Sequence, residues 1–126
     1  MGATAKEVVE TFWQIMNTND FGSVGALLAD GYRLEWPQSG EVIRGRDDFV
    51  AVNENYPANG PWRFTIHTLL ADGPQVVSDV SVTDGLVEAR VITFSTVEDS
   101  LIVKQLEFWP EPFAAPEWRR TWAERG

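Results

Sequence analysis

A helical first half followed by a run of four strands predicts an α+β fold, with helices layered on one side of a bent, mostly antiparallel sheet. Three observations carry this. Apolar residues recur at helical spacing between Val8 and Met16. From Pro61 to Pro110 the chain is dominated by β-branched and aromatic residues, punctuated by Asp-Gly or acidic turns. The loops between those strands are short, so neighbours pair as an antiparallel meander.

In chain order, Thr4 and Glu7 have capping-box spacing and open the first helix. Val8, Val9, Phe12, Trp13, Ile15 and Met16 share one face of it, and Asn17-Thr18-Asn19 ends it. Asp20 caps a second helix with Phe21, Val24, Leu27 and Leu28 on its apolar side and Gly31 as its stop. Tyr32–Trp36 alternates as a short strand closed by Pro37, with Tyr32, Leu34 and Trp36 on one side and Arg33 and Glu35 on the other. Residues 38–45 read as a loop. Residues 47–55 form a third helix, with acids in the first turn where the helix dipole favours them. The four strands are expected at Trp62–Leu70, Gln75–Thr83, Leu86–Ser95 and Leu101–Trp109. Pro110, Pro112 and Pro116 then make a rigid turn before a short helical tail, Glu117–Glu124, with Trp118 and Trp122 on a shared face.

The turns set an expected register. Taking Asp72-Gly73-Pro74 as the first loop places His67 opposite Asp79. A two-residue Asp84-Gly85 hairpin turn places Asp79 opposite Arg90, with Arg90 near Gln105. One face then bears the polar row His67, Asp79, Arg90 and Gln105, with Thr65, Ser81, Glu88 and Glu107 beside it. The other bears Phe64, Ile66, Leu70, Val76, Val80, Val82, Val87, Val91, Ile102, Leu106 and Phe108, and the helices are expected to pack there. A histidine beside a carboxylate is a usual acid–base arrangement, which makes His67 and Asp79 catalytic candidates. The plainer reading is cross-strand charge pairing on the outer face of a sheet.

Composition removes several functions. The 126 residues are enough for one domain. The net charge of −9 argues against a nucleic-acid partner, which needs a basic stripe, and against an anionic membrane surface. No cysteine is present, so thiolate chemistry and zinc–thiolate sites are excluded, and one histidine excludes a multi-histidine metal site. No cofactor and no metal are expected. No apolar run approaches the ~20 residues of a membrane span. Met1-Gly2-Ala3-Thr4 lacks the pattern of a signal peptide, so a cytoplasmic location is expected.

Three local signatures add a resemblance. They are Asn19-Asp20-Phe21 leading to Leu27-Leu28-Ala29-Asp30 and the Tyr32 strand; Gly45-Arg46-Asp47-Asp48-Phe49; and Leu106-Glu107-Phe108-Trp109-Pro110. With the order of elements, they resemble the nuclear transport factor 2-like superfamily, in particular its SnoaL-like branch. The resemblance implies a cone-shaped fold, often dimeric, with an apolar pocket between helices and sheet. It covers ketosteroid isomerases, polyketide cyclases, an epoxide hydrolase, dehydratases and transport factors, so fold does not settle activity. The family's catalytic positions fall here on Phe12, Trp36, Val80, Val82 and Pro110, none of which can do the chemistry. Glu35, beside Trp36, is turned outward by alternation.

The remaining polar groups expected inside are Tyr32, Thr68, Ser78, Thr93, Ser95 and Lys104. Phe12, Trp13, Tyr32, Trp36, Phe49, Tyr56, Phe64, Val80 and Phe108 are the expected pocket lining, with Tyr32, Glu35, His67 and Asp79 as catalytic candidates. Two readings stand. One is a pocket protein that binds a small apolar ligand, polycyclic or carbonyl-bearing, without a catalytic site. The other is a cofactor-independent isomerase, cyclase or hydratase using acid–base catalysis in that pocket. They part on whether a titratable group with a perturbed pKa lies inside. A homodimer through the outer sheet face is also expected, because Leu69, Ile92, Phe94 and Val103 lie there among charges.

Overall fold

Thr4 and Glu7 cap each other in the computed structural model, which describes residues 2–124. The Glu7 N–H donates to Thr4 Oγ1 (3.2 Å) and the Thr4 N–H donates to Glu7 Oε1 (2.9 Å). Helix α1 (Ala5–Met16) follows and buries Val8, Val9, Phe12, Trp13 and Met16, the predicted apolar stripe. The second helix is shorter than expected. A single turn, α2 (Phe21–Val24), passes into a 3₁₀ turn (Gly25–Leu27). Leu28, expected on that helix, already begins strand β1 (Leu28–Trp36). Residues 38–45 are not all loop, because Glu41–Arg44 returns as strand β2 and pairs antiparallel with β1. Helix α3 (Arg46–Asn55) carries Asp47 and Asp48 in its first turn. Gly45 precedes it at φ +83°, a conformation that favours glycine. The sheet is completed by β3 (Arg63–Asp72), β4 (Gln75–Thr83), β5 (Glu88–Glu98) and β6 (Leu101–Phe108). The tail forms only a 3₁₀ turn, Glu117–Arg119, and Trp118 and Trp122 are exposed.

The six strands make one curved sheet in the order β2-β1-β6-β5-β4-β3. β1 and β6 are parallel and every other pair is antiparallel. Helix α1 lies across the inner face of β3 to β6. That face buries Phe64, Val76, Val80, Val82, Val91, Val97 and Ile102. The end of α1 is tied to the sheet edge by two asparagines. Asn17 exchanges hydrogen bonds with the backbone N–H and C=O of Phe64 (2.6 and 2.7 Å), and Asn19 does the same with Trp62 (2.7 Å each). These amides satisfy backbone groups at the β3 edge, at Phe64, and just before it, at Trp62, that no strand pairs.

Three departures from the expected register matter. The β4–β5 loop has four residues, because Asp84 Oδ1 accepts from the N–H groups of Leu86 and Val87 (3.0 and 2.8 Å). Thr83 therefore pairs with Glu88, and Asp79 stands opposite Ile92 rather than Arg90. A shift of two leaves every β5 side chain on its expected face, but Val87 drops out of the sheet into the loop. In β3 a bulge at His67 sets Thr68 opposite Asp79. Leu69 therefore packs against the core, while Leu70 is 64% exposed, the reverse of the expectation. In β6 a bulge at Val103 separates the pairs Thr96↔Lys104 and Val97↔Ile102. One extra residue reverses facing beyond it. Gln105 and Glu107 turn inward and are buried, while Leu106 and Phe108 turn outward.

Candidate functional site

The helices leave an open cleft of about 1010 Å³ against the sheet. Of the residues expected to line it, Phe12, Trp13, Trp36, Phe49, Tyr56 and Phe64 do so, joined by Trp62 and Trp109. Val80 is wholly buried in the core and Phe108 lies on the opposite face, edge-to-face with Phe94 at 6.2 Å. Tyr32 is also enclosed, 1% exposed, and its hydroxyl donates to Gln105 Oε1 (2.6 Å), whose amide donates to Ser95 Oγ (3.1 Å). Its pKa is raised well above that of an ordinary tyrosine, by burial first and the nearby Glu107 charge second. The chain Tyr32–Gln105–Ser95 thus joins the first strand to the centre of the sheet. Trp13 Nε1 is buried with no hydrogen-bond partner among the described residues.

Glu88, Glu107 and Glu111 line this cleft, and Glu107 is the buried one. It is 7% exposed and held by three neutral donors. The Trp36 and Trp109 indoles donate to Oε1 (3.0 and 3.1 Å), and the Thr93 hydroxyl donates to Oε2 (2.7 Å). Each element contributes one part: β1 ends in Trp36, β5 turns Thr93 inward, and β6 with its continuation supplies Glu107 and Trp109. Burial raises the pKa of Glu107 against the opposing pull of Thr93, Trp36 and Trp109. Two lone-pair directions on a carboxylate oxygen bonded once leave Oε2 able to take a proton. Sequence alternation missed this residue. The signal was the unbroken run Leu101-Ile102-Val103, where a regular half-buried strand would alternate.

Of the other catalytic candidates, Glu35 and Asp79 do not line the cleft, while the exposed His67 does. Glu35 faces outward between Arg33 (2.7 Å) and Lys104 (3.7 Å), and the Arg33 bond holds its pKa low. Lys104 and Thr68 are likewise outside, displaced by the two bulges from the inward positions expected of them. Arg90, paired with Ser81, reaches diagonally to Asp79 with two bonds (2.5 and 2.8 Å), which lower the pKa of that carboxyl. His67 is exposed, with Nε2 2.5 Å from Ser81 Oγ. His67, Asp79 and Arg90 do gather on the outer face of the sheet, where His67 and Arg90 also border the open cleft, and Gln105 is not with them. Among the described residues, no group of three or more His, Asp or Glu is placed to hold a metal ion. None of the helices there is long and apolar enough to cross a membrane.

Helices seated in the hollow of a single curved sheet, over an apolar cleft, define the nuclear transport factor 2-like fold. Within it, the chain belongs to the SnoaL-like family, whose domain matches residues 9–105. It is similar to a proposed ketosteroid isomerase from Kribbella flavida, with 34% identity, a TM-score of 0.89, and 97% of this chain and 89% of that one covered. It is similar to an NTF2-like protein of unknown function from Burkholderia xenovorans (23% identity, TM-score 0.79, coverage 96% and 94%). A proposed polyketide cyclase from Streptomyces antibioticus shares the fold at 16% identity, TM-score 0.73, coverage 85% and 92%. No curated protein matches the chain.

Proposed function

We propose that the protein binds a small, largely apolar molecule, polycyclic or carbonyl-bearing, in this cleft and moves a proton on it without a cofactor, as an isomerase, cyclase or hydratase does. Glu107 is the proton-transfer group. The observation that carries this is a buried carboxylate among aromatic rings, with a pKa raised toward the range where a base works best. The likeness to a proposed ketosteroid isomerase points the same way.

A generic substrate tests it. 5-Nitrobenzisoxazole opens to a coloured phenolate when a base removes its C3 proton and the N–O bond breaks. The protein is expected to open it faster than an equal concentration of free acetate at the same pH. A rate no greater than acetate's would contradict the proposal and leave the non-catalytic binding reading. Binding is tested with Nile red, a neutral polycyclic dye. Trp36 walls the cleft, so Trp36→Ala is expected to weaken dye binding about tenfold, in keeping with the loss of one large apolar contact. Unchanged affinity would place the dye elsewhere.

We also propose a homodimer through the outer sheet face. Leu70 and Phe94 are 64% and 40% exposed there, and Phe94 meets Phe108 edge-to-face. Sedimentation velocity is expected to show a dimer. A monomer at high protein concentration would remove this proposal.

A further inference from the structure

We infer that the molecule taken by this cleft carries a positive charge on its apolar body: an organic ammonium seated among Trp36, Tyr56 and Trp109, with Glu107 as its counter-ion. This rests on the reading of the cleft as a small-molecule site and adds the charge class of the ligand. Three observations meet. First, Glu107 is a buried carboxylate that takes part in none of the ion pairs among the described residues, and its three partners are neutral donors. Carboxylates are rarely buried without a cation, and a cationic ligand supplies the missing charge. Second, Trp36, Tyr56 and Trp109 line both the main cleft and a smaller hollow of about 280 Å³ beside it. Indole and phenol faces attract ammonium groups, and most strongly where water is excluded. Third, that smaller hollow carries Glu41 and Glu111 and no Lys or Arg. In the main cleft the basic side chains are Arg90, already bonded twice to Asp79, and His67, bonded to Ser81 Oγ. The net charge of −9 adds attraction for a cation at long range.

The test compares two ligands of nearly one shape, benzyltrimethylammonium and its neutral carbon isostere neopentylbenzene, by quenching of tryptophan fluorescence. The wild type is expected to bind the ammonium at least tenfold more tightly. Glu107→Gln, which keeps the size of the side chain, is expected to reduce that preference to threefold or less. Equal affinity of the two ligands in the wild type overturns the inference, and this comparison needs no variant to fold. A preference that survives Glu107→Gln, in a variant whose circular dichroism matches the wild type, overturns it as well. Failure of both ligands to bind overturns it too. Proton abstraction separates the two readings. If the wild type opens 5-nitrobenzisoxazole and the ammonium inhibits no better than the isostere, the charge inference falls and the proton-transfer reading stands. If the wild type does not open it but prefers the ammonium, the proton-transfer reading falls and the charge inference stands.

Discussion

Glu107→Gln is expected to lower the rate of proton abstraction by about a hundred- to ten-thousand-fold, the usual loss when a positioned general base is removed. The same change is expected to stabilise the fold at neutral pH. Gln keeps the shape, and its carbonyl still accepts from the Trp36 and Trp109 indoles, while its amide meets the Thr93 hydroxyl, which can accept. It removes a charge held out of water. The direction with pH follows from linkage. Burial raises the folded pKa of Glu107 above its unfolded value of about 4.3. Between those two values the folded state binds more protons than the unfolded state, so this group's contribution falls as pH rises through the window. The Gln variant lacks that proton. Its advantage in melting temperature should therefore be absent near pH 4 and grow toward neutrality. Asp84, Asp79 and Glu35, whose pKa values are lowered by their donors, destabilise both proteins alike in acid and cancel in the comparison. Thermal melts of both proteins between pH 4 and 8 check the pattern, and a constant difference would contradict it.

Phe12→Ala is expected to cost about 3–5 kcal/mol of stability. Phe12 is 1% exposed at the centre of α1. Its ring stands edge-on to Trp13 at 4.9 Å and tilts against Phe49 at 6.0 Å, so one side chain joins α1, α3 and the cleft wall. Removing it leaves a cavity that its neighbours cannot close without moving two helices. For a chain of 126 residues this corresponds to a fall in melting temperature of roughly 10–20 °C. Phe12→Leu should recover much of the loss, since it refills most of the volume. A fall of only a few degrees for the Ala variant would mean that the helix is anchored elsewhere.

What could be read from the chain was what local chemistry decides. The α1 cap needs only Thr4 and Glu7, and its buried stripe needs only a period of 3.6 residues, so both were legible. Strand β4 matched residue for residue because the turns Asp72-Gly73-Pro74 and Asp84-Gly85 bracket it, although Val77 and Ser78 break the apolar–polar alternation. The short strand β2 was missed although Val42 and Ile43 favour a strand, because a four-residue segment between turn residues is fixed as one only by pairing with β1. The same is true of Leu28–Asp30, drawn into β1 by β6 and not by propensity. The site was hidden by a smaller thing. A single inserted residue, Val103, turns Glu107 from the outside of the sheet to the inside. Alternation counted along the chain carries no memory of such a bulge. The outward facing of His67, by contrast, survived, because the bulge in β3 begins at His67 itself.

The most direct measurement is the titration of the Glu107 carboxyl carbon by ¹³C NMR in glutamate-labelled protein, with Glu107→Gln to assign the resonance. Burial in the cleft is expected to raise the midpoint of this carboxyl above the ordinary glutamate value near 4.3. A midpoint at or below that value would contradict a buried acid poised for proton transfer.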